Sequence, residues 1–353
     1  MSVLNEGRYN EPQYLNCPLQ KDVNMTLYDV VTLGETMIRL TPPGQKRLET
    51  AVTLDVEVGG SESNTAVGLA RLGLRVAWLS RLTDNPLGHL IAGTLRRFGV
   101  DTSHVVWTEG DRVGLYFLEE GDAPRGGQVF YDRRDSAVSK MQPTDLPADL
   151  FRPDGARLLH VTGITPALSP SLAATALDAV QRAKAAGWLI SFDLNYRSKL
   201  WTTEAASAGC EPFLQQADIV FAPLRDACAF WSLPTDADQV LDTLMTRFQP
   251  SVAVLTLGAE GAAALDQTGA RYRQGAVQAG GVGRVGGGDA FTAGFLYGFL
   301  TSQPADALSA ALRWGTAVAA LKYTIPGDLP LIERAEAARL VADEAGGKTG
   351  LIR

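Results

Sequence analysis

The sequence predicts an α/β protein in three layers, a mostly parallel sheet covered by helices on both faces, with a second, smaller β-sheet attached as a lid. Short apolar runs of strand length alternate with helical patterns along most of the chain, which is the signature of parallel strands joined by helical crossovers. Two stretches break this rhythm with period-2 alternation between Gly/Pro-rich connectors, and such alternation implies a sheet with one face wet or covering something. At 353 residues, 46% hydrophobic and 20% charged, the chain can bury a sizeable core and lacks the composition of disorder.

Residues 1–24 carry Asn, Gln, Pro and Tyr without periodicity and read as a loose extension, with Met25 just ahead of the first regular element and the α/β unit spanning 25–353. The run Tyr28–Glu35 suits a buried strand. Met37–Leu40 and Thr53–Val58 alternate, as do Gly114–Glu119 and Gln128–Tyr131, so the lid is expected at about 37–58 and 110–134. A helix is expected over Ser63–Leu72, stopped by Gly73. Strand Arg75–Ser80 precedes helix Pro86–Phe98, and strand Arg157–Thr162 precedes an Ala-rich helix from about Ser171 to Ala186. Strands Trp188–Asp193, Asp218–Ala222 and Ser251–Thr256 follow, separated by helical patterns, and the chain closes with helices Ala290–Leu300, Ala305–Lys322 and Leu331–Ala345.

Charge and cysteine usage exclude several functions. The net charge of −7 argues against nucleic acid or an anionic membrane as partner, so an anionic substrate must be met by a local cluster of cations. Cys17, Cys210 and Cys228 form no CxxC pair, which argues against a disulfide framework or zinc site and fits a reducing cytoplasm. No run approaches the roughly 18 apolar residues of a spanning helix, and no secretory pattern opens the chain. The three histidines are scattered and read as structural.

The sharpest motif is Val285–Tyr297, Val-Gly-Gly-Gly-Asp-Ala-Phe-Thr-Ala-Gly-Phe-Leu-Tyr. Gly286, Gly287 and Gly288 let successive backbone N–H groups converge where a helix starts, a nest suited to a phosphoryl group. Asp289 on the first turn could accept a proton from an attacking hydroxyl. A flexible turn with an ordinary Asp near a helix start is the plainer alternative. Gly281–Gly286 also matches GxGxxG, but helices follow where a dinucleotide fold needs a strand ending in an acidic residue. Gly347-Lys348-Thr349 lacks both the first glycine and the following helix of a phosphate-binding loop.

Three further motifs carry polar groups. Gly59 and Gly60 enter a helix four residues before Asn64, permitting close approach of a ligand whose sugar hydroxyls Asn64 could bond. The same run also reads as a helix capped by Ser61 or Ser63 with Asn64 exposed. Asp193, Asn195 and Arg197 share one face if the strand continues extended, at the carboxyl end where open α/β sheets bind ligands. Arg197 then offers a planar fork to a carboxylate or phosphate, or else is a surface side chain in a loop. Tyr116, Tyr131 and Arg133 could line the inner side of the lid and exclude water during phosphoryl transfer, or the arginine could be solvated.

The β-lid, the early Gly-Gly-x-x-x-Asn and the late Gly-x-Gly-Asp, in this order, resemble the ribokinase-like, or PfkB, family of carbohydrate kinases from about Tyr28 to Ala345. Gly163–Ser169, Asp193–Arg197 and Val129–Arg133 resemble its 2-keto-3-deoxygluconate kinase branch. The resemblance implies a ribokinase-like fold and transfer of phosphoryl from ATP, with Mg2+, to the terminal hydroxyl of a six-carbon sugar acid. It implies Asp289 as general base, the N–H groups of Gly286, Gly287 and Gly288 as anion hole, and Gly59, Gly60 and Asn64 facing the sugar. Tyr116, Tyr131, Arg133 and Arg197 would surround the substrate, with Arg197 on its carboxylate, and Asp328 would touch it too. Thr256, Gly258 and Gly261 fall in the nucleotide segment.

Two departures stand out. Gly283 occupies the place of an Asp associated with a monovalent cation, which puts potassium activation in doubt. Pro223-Leu-Arg-Asp226 stands for the family's Asn-x-x-Glu, so the magnesium-supporting charge falls to Asp226 on a shorter arm. Two competing readings are a neutral-sugar kinase for fructose or ribose and a non-catalytic sugar or nucleotide sensor of the same fold. Arg133 and Arg197 argue against the first, because buried cations facing a neutral sugar would be unpaired. A nicotinamide oxidoreductase would rest on the GxGxxG match alone. The lid strands are edges that a partner subunit's lid could cover, giving a homo-oligomer.

Overall fold

The computed structural model describes residues 26–121, 124–281 and 285–342. The expected extension over 1–24, Gly283, the Gly-Lys-Thr run and the end of the last helix lie outside the described residues. The strands are β1 (Tyr28–Leu33), β2 (Met37–Thr41), β3 (Asp55–Gly59), β4 (Val76–Thr83), β5 (Val100–Asp101), β6 (Val105–Thr108), β7 (Leu115–Glu119), β8 (Gln128–Asp132), β9 (Ala156–Thr162), β10 (Leu189–Asp193), β11 (Ile219–Pro223), β12 (Val252–Thr256), β13 (Ala262–Asp266) and β14 (Arg271–Gln274). The helices are α1 (Ser61–Leu72), α2 (Pro86–Arg97), α3 (Ile164–Ala167), α4 (Pro170–Ala185), α5 (Thr203–Leu214), α6 (Leu224–Trp231), α7 (Ala237–Phe248), α8 (Gly287–Thr301), α9 (Ala307–Tyr323) and α10 (Arg334–Ala342).

The large sheet runs β14-β13-β12-β11-β10-β9-β1-β4-β5, with β6 on β4. Every neighbour pair from β12 to β5 is parallel, and the β12–β13 and β13–β14 pairs are antiparallel. Alternate residues serve opposite cores. Val31 and Leu159 pack with α4, α5 and α7 on one face, while Val30 and Leu158 pack with α1, α2, α8 and α9 on the other. This is the three-layer architecture that the strand–helix alternation predicts.

The second sheet has the order β3-β2-β7-β8, with β2–β7 parallel and the outer pairs antiparallel. Its strands coincide with the four alternating runs, and it places Gly59 two residues before the start of α1. No described helix is long and apolar enough to cross a membrane.

Besides the short unexpected strands β5 and β6, two local outcomes differ from expectation. The hairpin β13–β14 was not foreseen because Ala262-Ala-Ala-Leu-Asp266 has little intrinsic strand preference; pairing with β12 makes it a strand. Asp193–Arg197 does not continue extended. β10 stops at Asp193 and Asn195 takes φ 37°, so the chain turns there.

Candidate active site

The parallel strands β1, β9, β10, β11 and β12 end along one edge, where loops and helix starts gather as the fold class requires. A cleft of about 250 Å³ opens there, walled by Asp193, Asn195, Arg197, Phe221, Pro223, Thr256 and the Val285–Asp289 turn, with Thr292 behind.

Gly286 caps α8 in the left-handed region at φ 77°, and a Cβ there would stand 2.3 Å from the Asp328 carbonyl oxygen. Only glycine fits both demands. The first-turn N–H groups of α8 have no acceptor within the helix, and they face the cleft with the positive end of the helix behind them. Gly287 is packed against the Tyr323 ring, whereas a Cβ on Gly288 would meet nothing within 4 Å. The nest is therefore built from below by protein and open above Gly288, as an anion cradle must be.

Asp289 is the third residue of α8 and is buried. Its Oδ1 accepts from Ser61 Oγ at 2.7 Å and its Oδ2 from Asn64 Nδ2 at 2.7 Å. Asn195 Nδ2 donates to Ser61 Oγ at 2.5 Å, so three polar side chains from α1 and the β10 loop aim one carboxylate. Burial raises its pKa above the ordinary carboxylate value, and the bonds from Asn64 and Ser61 oppose that rise. A raised pKa makes the ionised carboxylate the stronger proton acceptor.

Helix α1 is fixed at the site by its own start. Gly60 is the N-cap, and its extended backbone lies so close to the Glu35 carbonyl that a Cβ would come within 2.0 Å of that oxygen. Neither Ser61 nor Ser63 caps the helix: Ser61 serves Asp289, and Ser63 Oγ donates to the Gly60 carbonyl at 3.0 Å. Asn64 is not exposed but buried, with its Oδ1 accepting from Gly60 N at 3.3 Å. In the first turn, the fully buried Glu62 accepts from Thr162 N, Thr162 Oγ1 and Thr165 Oγ1 at 3.1, 2.8 and 2.6 Å, pinning α1 to the end of β9.

The lid delivers a second polar cluster. Tyr116 Oη donates to Asp328 Oδ1 at 2.5 Å, and Arg39 Nη1 donates to Asp328 Oδ2 at 2.6 Å, with Arg39 also paired to Glu57. A Cβ on Gly59 would come within 2.6 Å of both the Asp328 carboxylate and the Tyr116 hydroxyl, so Gly59 lets these groups meet. The Tyr131 ring lies tilted by 37° beside Tyr116 with centroids 6.0 Å apart, and the Arg133 guanidinium lies 5.5 Å from the Tyr131 centroid.

Arg133 and Arg197 correct one step of the sequence reading. Arg133 is buried but paired with Glu35, which also accepts from Ser136 Oγ at 2.5 Å, and Arg197 is exposed at the rim of the cleft. Neither is a buried unpaired cation, so the energetic objection to a neutral sugar lapses. Arg39 and Glu35 escaped the sequence reading, and Ser61 entered it only as a possible cap. Asn195 was read there as ligand-facing beside Asp193 and Arg197, and it instead bonds Ser61.

The nucleotide and metal candidates divide similarly. Thr256 ends β12 at the cleft wall. Gly258, at φ 62°, faces open space, while the missing Cβ of Gly261 makes room for the Gln274 carbonyl. Asp226 lies buried in the first turn of α6, next to an Arg225 contact of 3.4 Å. Burial, then the Asp289 charge, pushes Asp193 up to about 7, and burial raises Asp226 as well. Among the described residues no cluster of three or more His, Cys, Asp or Glu could hold a metal alone. Two carboxylates made costly to ionise by their surroundings, beside an anion cradle, do suit Mg2+, which takes one or two carboxylates together with phosphate oxygens.

The profile of the pfkB family carbohydrate kinases matches residues 28–333. The chain is 40% identical over 325 residues to a 2-dehydro-3-deoxygalactonokinase of Haloferax volcanii, covering 92% of this chain and 99% of that one. It is 33% identical over 308 residues to a 2-dehydro-3-deoxygluconokinase of Bacillus subtilis, covering 85% and 91%. A crystal structure of 2-dehydro-3-deoxygluconokinase from Thermotoga maritima superposes with a TM-score of 0.79 at 33% identity, covering 89% of this chain and 99% of that one.

Proposed function

The chain belongs to the pfkB family of carbohydrate kinases, and from that premise we propose that it phosphorylates the terminal hydroxyl of a 2-dehydro-3-deoxy sugar acid, 2-keto-3-deoxygluconate or its galactonate epimer, using ATP and Mg2+. The observation that carries the reaction type is Asp289, aimed by Ser61 and Asn64 at the glycine-led start of α8. The sugar-acid class rests on the two relatives, whose names specify such acids.

The sugar would lie between the lid cluster and Asp289, with its reacting hydroxyl on the carboxylate and its polar groups toward Tyr116, Tyr131, Asp328 and Asn64. Arg197, exposed at the rim with its Nη1 donating to the Tyr196 carbonyl at 3.3 Å, could meet a carboxylate or phosphate there. Asp289 takes the hydroxyl proton as the oxygen attacks the γ-phosphorus; the P–O bond to ADP breaks, and ADP departs with that electron pair. The N–H groups at the start of α8 hold the charge that builds on the transferred group. Mg2+, when bound near Asp193 and Asp226, would neutralise phosphate charge. Thr256 and Gly258 would border the nucleotide. Lid residues exclude water, which keeps ATP from being hydrolysed. Free thiols at Cys210 and Cys228 suit a cytoplasmic enzyme, and a second copy's lid is proposed to cover the exposed Phe130 and Val56.

ADP release measured side by side with 2-keto-3-deoxygluconate, the galactonate epimer, fructose and ribose tests this directly. The two acids should exceed the neutral sugars in kcat/KM by about 100-fold, the order of discrimination that a few substrate contacts supply. Equal or better use of fructose would refute the sugar-acid assignment.

A further inference from the structure

Lys322 is the one fully buried lysine among the described residues, and the phosphoryl-transfer steps above give it no part. It sits in the last turn of α9, and its Nζ donates to the carbonyl oxygens of Ile325 and Gly327 at 2.9 and 2.8 Å. A buried ammonium is costly, and an apolar side chain would fill the same space. The position must therefore use the charge or the donors.

Both point at the active site. The two carbonyls belong to the turn that carries Asp328, and Gly327 within it is left-handed at φ 87°. Asp328 reaches the site twice: its carboxylate joins Tyr116 and Arg39, and its carbonyl oxygen fills the space beneath Gly286. Tyr323, the neighbour of Lys322, packs under Gly287. One short segment from Lys322 to Asp328 thus forms the floor of the glycine nest and one wall of the lid cluster. Burial lowers the Lys322 pKa, while the carboxylates of Asp328, Glu57 and Asp289 favour the ammonium and Arg39 opposes it.

We infer that Lys322 is a positioning residue for phosphoryl transfer, a tethered cation that clamps the Ile325–Asp328 turn against the Gly286–Gly287 floor and holds the site's carboxylates in place. The inference rests on the kinase reading above. Its role requires an ammonium: a neutral donor could hold one carbonyl but would not balance the carboxylates, and a methionine could do neither.

The experiment compares wild type, Lys322→Met, Lys322→Gln and Gly327→Ala for ADP release with the preferred sugar acid, alongside thermal melting. Lys322→Met is expected to lose about 100-fold in kcat, the effect of misplacing reacting groups by roughly 1 Å, and to raise KM for the sugar acid. Ammonium chloride should restore part of that rate relative to sodium chloride at equal ionic strength, a rescue that a merely structural lysine would not show. Lys322→Gln should melt closer to wild type than Lys322→Met yet remain slow. Gly327→Ala, which strains the left-handed turn and brings a Cβ to 2.9 Å from the Glu57 carboxylate while leaving the lysine intact, should lower kcat in the same direction; if both lysine variants fail to fold, it tests whether the turn positions the site. Wild-type rates in folded Lys322→Gln or Lys322→Met, or unchanged kinetics in Gly327→Ala, would overturn the inference. Absence of sugar-acid turnover in wild type would instead count against the function reading.

Discussion

Asp289→Asn is expected to lower kcat by about 10²–10⁴-fold, the contribution of a positioned general base, with little change in melting temperature or in ATP binding. The substitution keeps the shape of a side chain that is buried between Ser61 and Asn64. The amide oxygen can still accept from Asn64, and the amide nitrogen can donate to the Ser61 hydroxyl, which can turn to accept it. What disappears is the ability to ionise and take a proton. Alanine at the same position would confound chemistry with a cavity and two stranded polar partners. A kcat measurement with saturating substrates, paired with ATP titration, separates the loss of the base from a loss of binding.

The second large effect is expected at Asp328→Ala, and it falls on stability as well as catalysis. Asp328 is 5% exposed and receives the Arg39 guanidinium and the Tyr116 hydroxyl at 2.6 and 2.5 Å. Removing it leaves a buried arginine with Glu57 alone and a buried phenol without an acceptor. Breaking one side of a buried ion pair costs about 3–5 kcal/mol, to be read as a shift in the denaturant midpoint at unchanged slope. Burial and the adjoining Asp328 push the Tyr116 ionisation far up, so this phenol stays a donor and must find another acceptor when the carboxylate is gone. Asp328→Asn keeps one acceptor oxygen for Arg39, while its amide nitrogen can only donate to the Tyr116 hydroxyl, which must turn to accept it, so the variant should recover part of the stability while still raising KM for the sugar acid. That split would mark the carboxylate as a substrate contact in addition to a structural one.

Much of this site was legible because its first layer is local in sequence. Three glycines before an Asp at a helix start, and two glycines before a polar helix start, state their backbone geometry in a few residues. Short apolar strands between helices likewise gave the layered sheet. What stayed hidden was pairing across long separations. Arg39 meets Asp328 from 289 positions away, Arg133 meets Glu35 from 98, and Ser61 meets Asn195 from 134. No local periodicity encodes such partners; the register of β2 and β7 in the lid and the turn after β10 create them. The turn at Asn195 shows the same point: a positive φ held by the Asp193 carboxylate accepting from Asn195 N at 3.0 Å brings Asn195 to Ser61, where a continued strand would have carried it away.

The pH dependence of kcat/KM for the sugar acid tests most directly whether a buried carboxylate is the proton acceptor. The base must be ionised, so protonation removes activity and the rate falls as pH drops. Burial raises the Asp289 pKa above 3.8 and holds neighbouring Asp193 up to about 7, so the limb belongs to the coupled pair and should lie well above the range of exposed carboxylates. The account predicts activity that declines on acidification at a pH above the range where exposed carboxylates titrate, with that decline lost together with most of the rate in Asp289→Asn. Full activity maintained to pH 4, or an Asp289→Asn enzyme that keeps both its rate and its acidic limb, would contradict it.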